Sequence, residues 1–313
     1  MLLIRNIVFF FLLVFGLMLI PGRNVLAVAD VAFYGPVVWE YLEILCGFGP
    51  RYFNSDGIQR TRELIIKTGQ RYAAETRIQR FNHIPESGGK PIDLLNIELR
   101  FGPKEGRPLL LGTHYDTRPR SDEDPDPENR LKPILGANDG GSGTALLLGL
   151  ARALSEKPPS HPVVLVFFDG EDFGEKGSTE YLLGSKYYAS IVKLQPELER
   201  PAAVLVLDMV GDKNLEIYPE SYSVKSAPQL VKKVFLLARE KHGLTQFKDS
   251  VKYSIIDDHI PFTLLGIPAM VLIDFDYPHW HKQSDTLENC SSESLMAVFY
   301  VMMDLINEWT GRL

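Results

Sequence analysis

An α/β sandwich around a mostly parallel sheet is the fold class that this sequence predicts, on three observations. Apolar runs of strand length alternate with helical stretches along the chain. The run at 163–168 is continuously apolar, as a strand buried on both faces is. His and acidic residues stand just after the runs, where open α/β sheets place their ligands. With 313 residues, 45% hydrophobic and 23% charged, the composition is that of an ordinary globular protein. The chain is long enough to bury a core without crosslinks. It has no internal repeat and no clean linker, so one domain is expected.

The first segment stands apart from that domain. Arg5 precedes an uncharged run at 7–20, which Pro21 and Gly22 break. Val25-Leu26-Ala27 fits a small-residue cleavage site. Residues 1–27 therefore read as a signal peptide or N-terminal anchor, and 28–313 as an exported domain (periplasmic, secreted or lumenal). The stretch between Arg5 and Arg23 is short for a spanning helix. Export permits a Cys46–Cys290 disulfide; two separately buried thiols are the alternative.

The remaining elements come in order. Residues 31–74 read as helical, interrupted by a turn at 51–57. Strands are expected at 95–101 and 108–112. Next comes a long loop at 115–137, with Pro119, Pro125, Pro127 and Pro133 among acidic residues and no periodicity. Loops of that length are usually functional, and this one is expected to shape a pocket. Helix 144–154, strand 163–168, helix 181–188, strand 202–207, helix 228–242, strand 269–273 and helix 291–309 complete the alternation.

Charge and cysteine content exclude several functions. A net charge of −7 argues against a general nucleic-acid binder. Two cysteines far apart exclude a Cys-based zinc site or an iron–sulfur cluster. GxGxxG fails at Leu146, and neither GxSxG nor HExxH is present. Asn289-Cys290-Ser291 matches the glycosylation sequon.

The chemistry gathers at four strand ends. His114 and Asp116 follow the second run; Asp169, Glu171 and Asp172 follow the third; Asp208 follows the fourth; His279 and His281 come soon after the last. Asp139 joins from the turn before a helix. A single Asp after a strand is usually a turn or cap residue. Repetition at four ends weakens that explanation. A His/carboxylate set without thiolates suits zinc, with three protein ligands and an open fourth position. In the pair Glu171-Asp172, one carboxylate can bind metal while its neighbour works as a general acid/base.

THYDT (113–117), GANDGGSG (136–143), FFDGED (167–172), LDMVG (207–211) and WH (280–281) together resemble the M28 zinc-peptidase family. Within it, the chain is more similar to glutaminyl cyclases. DDHIPF (257–262), Trp280 before the late His, and the segment RPRSDEDPDPENRLKPILGANDG carry that similarity. The resemblance implies a three-layer α/β/α sandwich with a mixed, mostly parallel central sheet. It implies one zinc ion held by Asp139, Asp172 and His281, Glu171 as proton shuttle, Asp208 and Asp257 as an acidic partner pair, and Trp280 walling the substrate pocket. Cyclases normally carry Glu at position 172. Animal cyclases carry His where Val271 stands, and Cys where Thr113 stands. The implied reaction closes the N-terminal glutamine of peptides or proteins to pyroglutamate, with release of ammonia.

Two other functions compete. A secreted di-zinc M28 aminopeptidase would place a second zinc on His114 and Asp208, with Asp139 bridging. A catalytically dead binding domain would be expected to lose ligands, and this chain retains them all. Expected partners are peptide substrates. Nucleic acid is not expected, nor membrane contact except through an uncleaved N-terminal segment. A monomer is expected.

Overall fold

The computed structural model describes residues 25–311, with side chains described from residue 34. The segment expected to be a signal or anchor lies outside the described residues, apart from its last three. Among the described residues, no helix is long and apolar enough to cross a membrane.

Two helices come first, α1 (Val25–Gly47) and α2 (Asp56–Tyr72). Ser55 starts α2 by accepting the Ile58 N–H, one of the donors a helix N-terminus leaves free. Ile58 and Ile65 of α2 are buried at helical spacing, one turned face being enough to dock it. Strands β1 (Glu75–His83), β2 (Ile92–Phe101) and β3 (Leu109–His114) follow, then α3 (Gly141–Glu156), β4 (Val163–Phe168), α4 (Leu183–Leu194) and β5 (Ala203–Asp208). The chain ends with α5 (Ser221–Ser226), α6 (Pro228–Leu236), α7 (Ile260–Thr263), β6 (Ala269–Ile273) and α8 (Ser292–Asn307).

The sheet has six strands in the order β1-β2-β4-β3-β5-β6. β4, β3, β5 and β6 run parallel; β2 is antiparallel to β4, and β1 to β2. It is the mixed, mostly parallel sheet expected. Side-chain alternation divides the core into two layers. Leu109, Leu111, Leu165, Phe167, Leu205 and Leu207 face α1, α2, α3 and α8. Leu110, Val164, Val166, Val204, Val206 and Val271 face α4 and α7 on the other side. Helices on both faces explain why the central strands read as unbroken apolar runs.

Register decides where the site forms. His114 pairs with Phe168, and Asp208 with Ile273. The parallel strands thus end level, and the segments leaving them open on one edge of the sheet.

Some boundaries differ from expectation. β1 was not expected: its sequence is polar and its residues are mostly exposed, so no apolar run marks it. β3 continues to His114, and α3 begins at Gly141. α4 begins two residues later than expected and continues to Leu194. The helix expected at 228–242 ends at Leu236 and passes into a π-helical turn. Cys46 and Cys290 are both free and buried, so the disulfide is not formed.

Candidate metal centre and active site

Each candidate side chain is aimed by a backbone anchor. Asp116, just beyond β3, accepts the Glu171 N–H and the Asp172 N–H, both at 3.1 Å. That pair of hydrogen bonds shapes the turn after β4 and presents both carboxyl groups. Asp285 does the same for the opposite wall. It accepts the Asn138 N–H at 2.8 Å and the Asp139 N–H at 3.1 Å, and Tyr277 Oη–H at 2.8 Å. Gly140 has φ +77°, and a Cβ there would lie 2.3 Å from the Asp116 carbonyl oxygen. Only glycine lets these two walls approach.

The side chains so placed converge. His281 Nε2 lies 3.2 Å from Asp172 Oδ1 and 3.5 Å from Asp139 Oδ2. His114 Nε2 lies 3.1 Å from Asp208 Oδ1 and 3.3 Å from Asp139 Oδ1. Asp139, Asp172 and His281 offer ligand atoms within 4.8 Å of one another, as do His114, Asp139 and Asp208, and His114, Glu171 and Asp172. Asp139 Oδ2 and Asp172 Oδ2 are buried with no hydrogen-bond partner. Orphaned carboxylate oxygens beside an imidazole nitrogen fit a bound cation, since such groups are costly to bury unpaired. The donor set contains nitrogen and oxygen but no sulfur, which suits a metal of zinc's type.

His281 takes φ +54°, a backbone conformation L-residues rarely adopt, and so the surrounding loop must hold it. The Glu123 N–H donates to the His281 carbonyl oxygen at 3.3 Å. His281 Nδ1 lies 3.6 Å from Asp122 Oδ1, a carboxylate placed to orient the ring. Trp280 is half-buried, stacks on His281 with centroids 4.0 Å apart, and packs on Phe275. Its position is a wall beside the cluster.

The electrostatics separate the carboxyl groups. Burial pushes Glu171 well above the usual carboxylate range, with help from Asp172, Asp258 and Asp257. Burial also pushes Asp257 up to about 7, with Asp208 adding to it. Burial acts the same way on Asp172, but His281 and Arg118 outweigh it and hold this carboxyl below the usual range. One of two adjacent residues thus favours a proton and the other its anion. Glu220 braces the loop before α7 that carries Asp257. It accepts the Ile255 N–H at 3.3 Å and lies 3.3 Å from His259 Nε2.

Not every strand-end residue joins the cluster. Asp169 accepts from Arg62 at 2.5 Å, from Tyr115 Oη–H at 2.8 Å and from the Leu95 N–H at 2.8 Å, so it locks α2 to the sheet. His279 pairs with Ser284. Val271 is buried among apolar neighbours, which leaves no imidazole relay at that position. Arg118 was not singled out from the sequence. It is buried, bonds Asp122 at 2.8 and 2.6 Å and Tyr181 at 2.9 Å, and reaches Asp172 at 3.5 Å. The long loop at 115–137 carries both Arg118 and Asp122. Its Asp124 accepts the Gln283 N–H at 3.0 Å, joining that loop to the one bearing His281.

Residues 96–306 match the sequence profile of peptidase family M28. The chain belongs to peptidase family M28. This M28 chain is 28% identical over 260 residues to a glutaminyl-peptide cyclotransferase of Drosophila melanogaster, covering 75% of this chain and 70% of that one. Among solved structures it is similar to the glutaminyl cyclase of Tannerella forsythia, at 33% identity and TM-score 0.80, covering 88% of this chain and 99% of that chain. It is also similar to a leucine aminopeptidase precursor from Bacteroides thetaiotaomicron, at 28% identity and TM-score 0.82, covering 88% and 98%. The ordered motifs of this M28 chain therefore correspond to the strand-end segments that build the cluster.

Proposed function

We propose that this M28 chain is a glutaminyl-peptide cyclotransferase, converting the N-terminal glutamine of peptides or proteins to pyroglutamate and releasing ammonia. The observation that carries this reading is the acid group of half-buried Glu171 and Asp208 and buried Asp257 beside the Asp139, Asp172 and His281 cluster. Asp257, pushed up to about 7 by burial and by Asp208, favours its protonated form beside the cluster. The likeness to glutaminyl cyclases along nearly the whole described chain supports the same reading.

Asp139, Asp172 and His281 are the residues that would hold zinc. A zinc ion held there would supply a Lewis acid for the side-chain carbonyl of the substrate glutamine. Glu171 takes a proton from the substrate's α-ammonium group and frees the amine. The amine nitrogen bonds to the side-chain carbonyl carbon, Cδ, and closes a five-membered ring. Glu171 then returns its proton to the departing amide nitrogen, which leaves as ammonia when the C–N bond breaks, and the ionised Glu171 accepts the second proton that the ring nitrogen gives up. One carboxyl must act as base and then acid, and its raised affinity for protons suits both roles. Nucleophile and electrophile share one molecule, so the site's main task is orientation. The exposed part of Trp280 offers the substrate side chain an apolar wall.

The test is mass spectrometry of a Gln-Xaa peptide after incubation. Loss of ammonia with the chain intact supports cyclisation; free glutamine with a shortened peptide overturns it. Glu171→Gln should retain the metal and lose roughly 10²- to 10⁴-fold in turnover; full activity would remove Glu171 from its role.

One observation favours a second reading, a di-zinc aminopeptidase. His114, Asp139 and Asp208 form a further three-residue group that shares Asp139 with the first. A measured two zinc ions per chain, with activity on varied N-terminal residues, would select it. Export through residues 1–27 and action as a monomer remain parts of the proposal.

A further inference from the structure

We propose that the cavity between α4 and α7 binds the residues that follow the reacting glutamine, and that it selects peptides with apolar side chains there. This deepens the cyclase reading and rests on it. The cavity holds about 630 Å³, within the range of sites that enclose small ligands. Tyr181, Ile256, Ile260, Pro261 and Leu264 line it, and Glu171 lines it too. Cavity and candidate active site therefore share a residue.

That shared residue fixes the occupant. In the proposed reaction Glu171 takes the proton from the α-amine. The carbon bearing that amine also carries the peptide carbonyl that leads to the second residue. Consecutive α-carbons are about 3.8 Å apart. The second residue of any peptide substrate must then stand beside the group that lines this cavity.

The walls say which side chains it takes. Ile256 is 70% exposed and Leu264 80% exposed, and both border the same space. Neither packs in a core cluster. Large apolar side chains left against water along one cavity mark a binding surface. Apart from Glu171, the only charged side chain there is Lys186, whose ammonium group donates to the Thr179 carbonyl oxygen at 2.9 Å. Burying an apolar substrate side chain here removes apolar surface from water on both partners. An aspartate at the same place would lose hydration and face Glu171.

The experiment compares kcat/KM for Gln-Leu-Leu-amide and Gln-Asp-Asp-amide by ammonia release. The intact enzyme should prefer the leucine peptide by about tenfold or more. Leu264→Asp should cut that preference severalfold or more, mainly through KM. Leu194→Asp, at a residue 81% exposed at the end of α4 and away from the cavity, should keep the preference. Equal kcat/KM for both peptides in the intact enzyme, or a preference unchanged in Leu264→Asp, overturns the subsite while ammonia release still upholds the cyclase. Free glutamine in place of ammonia overturns the cyclase reading, and the subsite falls with it.

Discussion

Asp116, Asp285 and Glu220 use their carboxylate oxygens on backbone N–H groups, whereas Asp139 and Asp172 each keep an oxygen without a hydrogen bond. Residues of one chemistry thus divide into those that build the walls and those left to bind. Sequence position did not separate the two kinds: Asp116 and Asp172 both follow apolar runs, and Asp139 stands in the turn before a helix. It did not show Arg118, Asp122 or Glu220, whose neighbours lie in loops with no period to read. Asp257 provides a test at this scale. In its ionised form, its negative charge helps hold Glu171 in the protonated form. Glu171 must be ionised to accept the substrate's proton, so activity rises with pH through its raised pKa. Asp257→Asn removes a like charge, lowers the Glu171 pKa, and should move the acid limb of the residual kcat/KM profile to lower pH. A limb that stays in place or moves to higher pH would separate Asp257 from the proton transfer.

Strands and helices were legible to the extent that one period dominated them. The β3, β4, β5 and β6 cores were readable as apolar runs because both faces are covered. β1 was not, since as an edge strand it buries little and its sequence stays polar. The short helices α5 and α7 carry no long period: Glu220 caps α5 locally, and Phe262 anchors α7 in the core. The long loop owes its shape to a residue outside it. Arg51, fully buried, donates to the carbonyl oxygens of Tyr115 at 3.0 Å, Leu135 at 2.9 Å and Gly136 at 2.6 Å. One guanidinium therefore ties the start of the loop to its end. Arg51→Met should leave these carbonyls buried without donors and cost about 3 kcal/mol or more. Urea unfolding of the variant measures it. A loss under about 1 kcal/mol would show that the loop holds its own shape.

At the scale of the whole molecule, one sheet edge concentrates buried acids: Asp116, Asp139, Asp172, Asp257 and Asp258. A cation that binds only the folded state must stabilise such an arrangement. Zinc at a hundredfold its Kd adds about 2.7 kcal/mol. For a chain of this size that corresponds to a Tm rise of roughly 4 to 5 °C. Chelation should reverse the rise, one equivalent of zinc should restore it, and Asp139→Asn should abolish most of it. A Tm indifferent to chelator would count against a metal at this cluster.

The amino-acid sequence alone carried the α/β class, the central strands, and the identity of the His and carboxyl groups at their ends. Those features are local: a run of apolar residues and the few positions after it report their own burial. Pairing was decided only in three dimensions. Which His meets which Asp depends on strand order and register, on the left-handed turn at His281, and on Gly140 allowing two loops to touch. The cavity beside Glu171 arose the same way, between α4 and α7, from residues far apart along the chain. Side chains distant in sequence acquire distances from one another only when the sheet between them is assembled.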